Sequence, residues 1–339
     1  GGCRRRPGQG GGAMSMMRPH RDLFDREAKL RAARLMAERG RLQRRGNGHN
    51  GNGRTLVLDR EKMARLQPAR DRVAGHLVDG ALPTRRRRIE SREILKVEDL
   101  AIHFGGVHAL DGVNLTARTA EIAGVIGPNG AGKTTFFNCL SGLLTPDRGE
   151  ITFDGHKLNG SPATRGRHGL GRTFQTPKLF GTLAVLDNLT FGCRTADAAR
   201  REYVFDPGLR RLSHEERGAR IARMVGFRGD LNAPAGSLPF GDLRTVELAR
   251  ALCGAPSLLM LDEPASGLDV SQAEEFVDLL RTLSDLGLAI LLIEHDMSLV
   301  MGICDYITVL DFGQVIAEGT PQEVQRNEAV IEAYLGREH

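Results

Sequence analysis

The residues at positions 127–134 have the types and the spacing of a loop that binds phosphate groups. They read Gly127-Pro128-Asn129-Gly130-Ala131-Gly132-Lys133-Thr134. This run fits the pattern G-x-x-x-x-G-K-[ST], in which backbone N–H groups and the positive end of the following helix attract phosphate oxygens. Lys133 would add a full positive charge, and the hydroxyl of Thr134 suits Mg²⁺. The sequence therefore predicts a site for a nucleoside triphosphate.

Two carboxylates follow a second apolar stretch of the chain. Residues 258–261 predict a buried strand, and Asp262 and Glu263 come directly after it. Beside a phosphate loop, the first carboxylate suits Mg²⁺, usually through water, and the second can polarise the attacking water. We therefore expect Asp262 to lie beside the metal and Glu263 to act as the general base. The alternative is a strand that happens to end in a charged turn.

The elements around these residues alternate between strands and helices. Predicted strands cover residues 95–104, 113–117, 122–126, 150–153, 258–261, 289–293, 306–310 and 314–317. Predicted helices cover residues 134–144, 194–224 with a break at Pro207-Gly208, 243–253 and 272–285. This order predicts an α/β core with antiparallel strands at its beginning and end, interrupted by a helical insert.

The first 92 residues differ in composition from the rest of the chain. They contain 24 Lys and Arg against 9 Asp and Glu, whereas the remainder contains 23 against 33. Glycine-rich stretches at 8–12 and 46–53 break up this basic segment. We expect a disordered basic extension at 1–92. The alternatives are a segment that contacts anionic lipid or nucleic acid, or sequence upstream of the true start.

Composition also argues against several classes of protein. No apolar run approaches the roughly 18 residues that span a bilayer, so action at a membrane would need partners. Trp is absent and aromatic residues make up only 5%, which makes broad stacking platforms for nucleic acid unexpected. The five cysteines show no metal-binding spacing, which favours buried, reduced thiols.

The order of several motifs resembles that of the ATP-binding cassette (ABC) ATPases, from residue 94 to about residue 336. The motifs are the loop at 127–135, Gln175, Leu238-Pro239-Phe240-Gly241-Asp242, Asp262-Glu263, Ser266-Gly267-Leu268-Asp269 and His295. The resemblance implies one domain at 93–339, a P-loop NTPase cassette. That cassette would combine a RecA-like core with an antiparallel β subdomain and a helical subdomain inserted at about 180–255.

The resemblance also implies roles for individual residues. Residues 127–135, including Thr135, would hold the phosphates of ATP, and Thr134, Gln175 and Asp262 would serve Mg²⁺. Gln175 would also approach the attacking water, and His295 would contact the γ-phosphate. Asp269 would face a partner subunit. Phe104 would stack on adenine, although a strand-end core phenylalanine is the alternative.

The segment at 238–242 departs from the family pattern, which reads Leu-Ser-Gly-Gly-Gln. Pro239 replaces the serine whose hydroxyl contacts the γ-phosphate, and proline also lacks a backbone N–H. Gly241 and the start of the following helix remain as donors toward phosphate. Either this half-site is weaker, or its subfamily does without the serine, which is the interpretation we favour.

Three further runs resemble the ATP-binding subunits of branched-chain amino-acid importers. They are Phe104-Gly105-Gly106, the run from Ile293 to Asp305, and the run from Val330 to Gly336. The implied partners are membrane permeases, a second ABC ATPase subunit and, indirectly, a solute-binding protein, with the chain at the cytoplasmic face of the plasma membrane. The alternatives are importers of urea, amides or other polar solutes, a soluble ABC ATPase acting on ribosomes or nucleic acid, and an inactive cassette.

Overall fold

The computed structural model describes residues 91–335, so the predicted extension at 1–92 lies almost entirely outside the described residues. The strands are β1 (Glu93–Phe104), β2 (Val107–Arg118), β3 (Ile122–Ile126), β4 (Arg148–Phe153), β5 (His156–Lys157), β6 (Leu170–Arg172), β7 (Leu258–Asp262), β8 (Ala289–Ile293), β9 (Tyr306–Asp311) and β10 (Gln314–Gly319). The α-helices are α1 (Lys133–Leu140), α2 (Pro162–His168), α3 (Val185–Ala198), α4 (His214–Met224), α5 (Phe240–Cys253), α6 (Val270–Asp285), α7 (Met297–Ile303), α8 (Pro321–Arg326) and α9 (Glu328–Leu335).

A six-stranded sheet forms the centre of the fold. Its strand order is β10-β9-β3-β8-β7-β6, and only the edge strand β10 runs antiparallel to its neighbour. Every residue of β3, β7 and β8 is buried, which is typical of parallel strands covered on both faces. Because the carboxyl ends of parallel strands meet at one edge, the segments that follow β3, β7 and β8 lie close together.

The two faces of this sheet pack against different layers. Side chains alternate along each strand, so Ile122, Leu259 and Ile290 belong to one apolar cluster, which also contains α3, α4 and α5. The opposite face supplies Met260 and Leu291 to a second cluster, built with α1 and a separate antiparallel sheet. That four-stranded sheet has the order β2-β1-β4-β5. The predicted α/β class, with antiparallel strands at both ends of the core, is confirmed.

The helical insert lies between β6 and β7 and contains α3, α4 and α5. The expectation of helix across 194–224 is wrong in detail, because α3 already begins at Val185 and ends at Ala198. Asp206 then caps a 3₁₀ turn at Pro207–Arg211. Ser213 starts α4 with a capping box, in which its side chain and that of Glu216 each accept a hydrogen bond from the other residue's backbone N–H.

The helix after the phosphate loop is also shorter than the sequence predicted. It ends at Leu140 rather than at Leu144, and Ser141 is its C-cap. Gly142 has φ +77°, a left-handed conformation that stops the helix and that glycine adopts readily. Strand β2 is longer than predicted, since it covers Val107–Arg118 rather than only residues 113–117.

The structure of residues 91–335 bears on two predictions from composition, which concern membrane-spanning helices and the cysteines. No helix in this range combines the length and the apolar content that crossing a bilayer requires. Cys139, Cys193, Cys253 and Cys304 are buried and form no disulfide within residues 91–335, as expected for reduced thiols, and Cys3 lies outside the described residues.

Candidate nucleotide site

The loop at 127–134 connects β3 to α1 in the strand–loop–helix order that the motif requires. Gly132 has φ +103°, and a Cβ atom there would approach the carbonyl oxygen of Ala109 to 2.5 Å. Only glycine therefore fits this position. Asn129, Gly130 and Thr134 are exposed, whereas Gly127, Ala131, Gly132 and Thr135 are buried. Among the described residues no side chain caps α1, so its first N–H groups remain available to an anion.

Lys133 places its ammonium group inside this loop. Its Nζ donates to the carbonyl oxygens of Gly127 at 2.6 Å and Pro128 at 2.9 Å. Burial lowers the pKa of Lys133, while the carboxylates of Glu263 and Asp262 oppose that shift. A half-buried cation held by neutral carbonyls, next to open N–H groups, is suited to phosphate oxygens. The residues present therefore fit the triphosphate that the sequence predicted.

Three of the predicted catalytic side chains meet at the carboxyl ends of β7 and β8. Gln175 donates from Nε2 to Oε2 of Glu263 at 2.7 Å. The Nδ1 atom of His295 lies 3.8 Å from the same oxygen. The side chain of Glu263 is 25% exposed and that of His295 is 64% exposed. A water molecule can therefore approach the carboxylate, as a general base requires.

The backbone around Glu263 is held in an unusual conformation. Glu263 has φ +48°, which is uncommon for a residue with a side chain, and its N–H donates to the carbonyl of Ile293 at 2.9 Å. The buried carboxylate of Glu294 accepts the N–H groups of Ala265 at 2.9 Å and His295 at 3.2 Å. Burial raises the pKa of Glu294, and these N–H groups oppose the shift. Glu294 thus ties the loop after Glu263 to His295.

Asp262 is paired with an arginine to which the sequence analysis assigned no role. Nη2 of Arg172 lies 3.4 Å from Oδ2 of Asp262, and Nη1 donates to Oδ1 of Asn138 in α1 at 2.9 Å. The guanidinium also lies over the ring of Phe174, 4.8 Å from its centroid. Burial raises the pKa of Asp262, while Arg172 opposes the shift. Arg172 therefore connects the phosphate-loop helix, the carboxylate and the loop of Gln175.

The donor set for a metal is small and built from oxygens. Thr134 offers a hydroxyl, Gln175 an amide oxygen and Asp262 a carboxylate that is 9% exposed. Across residues 91–335 no group of three or more His, Cys, Asp or Glu side chains could hold a metal ion. Sparse oxygen ligands of this kind fit Mg²⁺, which retains waters and takes further ligands from substrate phosphates.

Two predicted residues lie apart from this group. Gly241 is in the first turn of α5, and in the described part of the chain a Cβ atom there would meet nothing within 4 Å. Asp269 is the N-cap of α6 and accepts the N–H of Gln272 at 2.9 Å. Both residues are exposed, and their contact with a partner subunit stays a prediction.

The expectation for Phe104 is not met in this conformation. Its side chain is 4% exposed and belongs to the apolar cluster beneath the antiparallel sheet. A ring buried to this extent has no free face for a base, because stacking needs an accessible π surface. The alternative of a strand-end core phenylalanine is therefore favoured.

Comparison with known proteins gives a consistent family. A family model described as "ABC transporter" matches residues 110–266, and one described as "Branched-chain amino acid ATP-binding cassette transporter" matches residues 314–339. The high-affinity branched-chain amino acid transport ATP-binding protein BraF of Pseudomonas aeruginosa is 41% identical over 252 residues, covering 73% of this chain and 99% of BraF. The corresponding LivG protein of Escherichia coli is 40% identical over the same shares of the two chains.

Solved structures show the same relationship. The ADP conformation of MJ1267, an ATP-binding cassette of an ABC transporter, aligns with a TM-score of 0.62 and 30% identity, over 73% of this chain and all of that one. A dimeric post-hydrolysis state of the cassette MJ0796, bound to ADP and phosphate, aligns with a TM-score of 0.58 and 25% identity, over 67% and 99%. The chain thus belongs to the ABC transporter family, as an ATP-binding cassette ATPase.

Proposed function

We propose that this chain is the ATP-hydrolysing subunit of an importer for branched-chain amino acids. The convergence of Lys133, Asp262, Glu263 and Gln175 at one edge of the parallel sheet carries the catalytic half of this proposal. The transport half is supported by the match at 314–339 and by BraF and LivG, whose printed names assign them branched-chain amino acid transport.

The proposed hydrolysis uses side chains with separate tasks. Glu263 accepts a proton from the attacking water, while Gln175 and His295 orient the carboxylate and the γ-phosphate. Lys133 and the N–H groups at the start of α1 hold the phosphates in place. Thr134, Asp262 and Gln175 would hold Mg²⁺, which would neutralise charge on the phosphate oxygens. Arg172 and Glu294 hold Asp262 and Glu263 in position beside the phosphate loop.

The proposed working unit is a dimer of cassettes arranged head to tail. Gly241 and Asp269 face outward from their helices, where they could meet the nucleotide site of a second subunit. The similar cassette MJ0796 has been solved as a dimer, which supports a dimeric working unit. Closing the dimer around ATP would move the attached permeases, and hydrolysis would reopen it. The second subunit is either another copy of this chain or a different cassette.

A groove beside the loop of Gln175 is the proposed docking site for a permease. It has a volume of about 350 Å³ and lies between β6, α3 and α5. Phe180 and Phe191 line it, with ring centroids 5.4 Å apart, and their side chains are 53% and 46% exposed. Exposed aromatic residues in a concave surface are typical of a protein interface. Docking here would place the chain at the cytoplasmic face of the membrane.

Affinity capture of the full chain tests this proposal. The chain would carry a C-terminal tag and be solubilised from membranes in mild detergent with ATP and vanadate. We expect two apolar permeases and a second cassette to co-purify. Phe180→Asp should lose the permeases while keeping ATP binding. Co-purification of ribosomes or nucleic acid without permeases would contradict the transport role.

Uptake measurements then test the solute. Cells that contain the chain with its co-purifying subunits and a solute-binding protein should accumulate labelled leucine, and Glu263→Gln should stop that uptake. Uptake of urea or amides but not of leucine would reject branched-chain amino acids while keeping the importer.

A further inference from the structure

One helix of the insert touches both catalytic loops through two side chains. Glu247 lies in the middle of α5 and is 2% exposed. Its Oε2 accepts the N–H of Phe174 at 3.3 Å, and its Oε1 accepts the N–H of Lys178 at 2.7 Å. The two donors are on either side of Gln175, so a single buried carboxylate fixes both ends of the short loop that presents this side chain.

Arg244 lies one turn before Glu247 on the same helix. Its Nη1 donates to the carbonyl oxygens of Glu263 at 2.8 Å and Pro264 at 3.0 Å. Its Nη2 reaches the carbonyl oxygen of Gln175 at 3.3 Å. The planar guanidinium therefore bridges the loop of Gln175 and the segment that carries Glu263, a geometry that a lysine cannot reproduce.

These contacts act on backbone that needs support. Glu263 has φ +48°, and non-glycine residues hold such conformations only where their surroundings fix them. Arg244 binds the carbonyl group of this same residue. The side chains of Gln175 and Glu263 are then 2.7 Å apart between Nε2 and Oε2. Their separation depends on two loops that are both attached to α5.

The N-terminal end of α5 also contacts Arg244. It begins at Phe240, with Pro239 as its N-cap, immediately at the segment 238–242 that resembles the family's signature. The ring of Phe240 lies under the guanidinium of Arg244, with 5.0 Å from the ring centroid to Cζ. A shift of the start of the helix would therefore displace the guanidinium group of Arg244.

We propose that Arg244 and Glu247 are positioning residues that hold Gln175 and Glu263 in their hydrolytic arrangement, because the two side chains together attach both loops to α5. This inference rests on the proposed roles of Gln175 and Glu263.

A purely structural role for the two residues makes different predictions. If Arg244 and Glu247 only stabilise the fold, their substitution lowers the melting temperature and the fraction of active protein, and the surviving protein keeps its kcat. If they position the catalytic loops, kcat falls in folded protein while KM for ATP stays constant, because neither residue contacts the phosphate loop.

The experiment compares two conservative variants with matched controls on the neighbouring helix α4. Glu247→Gln replaces one of the two acceptor oxygens by an NH₂ group, which cannot accept a hydrogen bond. Either the N–H of Phe174 or that of Lys178 therefore loses its acceptor. Arg244→Lys keeps the charge and loses the bridge. Glu215→Gln and Arg223→Lys are the controls, since both residues are exposed. Full-length chains with their co-purifying subunits would be assayed for phosphate release and for equilibrium binding of a fluorescent ATP analogue.

Hydrogen exchange supplies a readout that does not depend on activity. In Glu247→Gln we expect faster amide exchange at residues 174–178 and unchanged exchange at residues 127–134. We also expect a roughly tenfold lower kcat in both variants, with unchanged ATP affinity. A wild-type kcat in folded Glu247→Gln and Arg244→Lys would overturn the proposal. So would amide exchange at residues 174–178 of Glu247→Gln that is as slow as in the wild type.

A Glu263→Gln variant separates this proposal from the one on which it rests. If Glu263→Gln stops hydrolysis and the α5 variants do not slow it, only the positioning role is rejected. If Glu263→Gln hydrolyses ATP normally, the assignment of the base itself is wrong.

Discussion

The side-chain amide of Gln175 donates to Oε2 of Glu263 across 2.7 Å. The residues are 88 positions apart in the sequence and follow two neighbouring strands, β6 and β7. Since this bond engages Oε2, we expect Oε1 to face the attacking water. The loop that leads from β6 into the helical insert is thereby linked to the residue that we propose as the general base.

Loss of the ammonium group of Lys133 should weaken ATP binding. Hydrogen bonds to charged groups contribute about 1.5–3 kcal/mol each, so Lys133→Ala should reduce affinity roughly tenfold to hundredfold. Titration with a fluorescent ATP analogue measures this change. Lys157→Ala is the control, because that exposed lysine pairs with Glu150 at 2.6 Å at the surface. Equal affinities of Lys133→Ala and wild type would contradict the phosphate role.

Glu121 should make the protein less stable as the pH rises. Burial, followed by the nearby carboxylate of Asp305, raises the pKa of Glu121 above its usual value near 4.5. A raised carboxyl pKa means that the folded state binds the proton more tightly. The stabilisation by that proton is complete below the unfolded-state pKa and is lost as pH rises through the folded-state pKa.

The variant Glu121→Gln, which is uncharged at every pH, tests this linkage. Its melting temperature should exceed that of wild type at pH 8, and the difference should shrink toward pH 5. The exposed Glu275→Gln should show no such trend. A difference that grows on acidification would mean that the environment of Glu121 favours its charged form.

Phe312 occupies a turn position that suits asparagine better. It connects β9 to β10 in a two-residue hairpin with φ +44° at Phe312 and +79° at Gly313, the signs of a type I′ turn. The ring is 84% exposed, so little packing is lost on substitution. We expect Phe312→Asn to stabilise the fold by about 0.5–1 kcal/mol, because asparagine tolerates the left-handed conformation.

Thermal unfolding checks this expectation, with a rise of roughly 1–4 °C for a domain of this size. Phe312→Ala is the matched control, since it removes the ring without favouring the left-handed conformation, and it should not be stabilised. A lower melting temperature for Phe312→Asn than for wild type would show that the exposed ring contributes to the folded state.

Local patterns predicted the parts of the site that follow single strands. β3 and β8 have the predicted bounds, the phosphate loop comes directly after an apolar run of five residues, and Asp262 comes directly after an apolar run of four. Such strands can be predicted from the sequence because every side chain in them is buried. The helical insert was predicted less well, since capping by Ser213 and Asp206, rather than the distribution of charge, decides where its helices begin.

The supporting residues could not be predicted because their partners are far away in the sequence. Arg172 meets Asp262 across 90 positions, and Glu247 meets Phe174 across 73. No local period signals such contacts. The burial of Phe104 likewise depends on how β1 packs over the second apolar cluster, which a strand pattern does not determine.

Phosphate release by Glu263→Gln shows whether Glu263 is the base for ATP hydrolysis. The glutamine keeps the size of the side chain but cannot accept a proton from water. We predict that turnover falls by about 10²–10⁴-fold, that ATP binding persists, and that an ATP-bound dimer accumulates on size-exclusion chromatography. Turnover at the wild-type rate, with no accumulated dimer, would show that Glu263 is not the base.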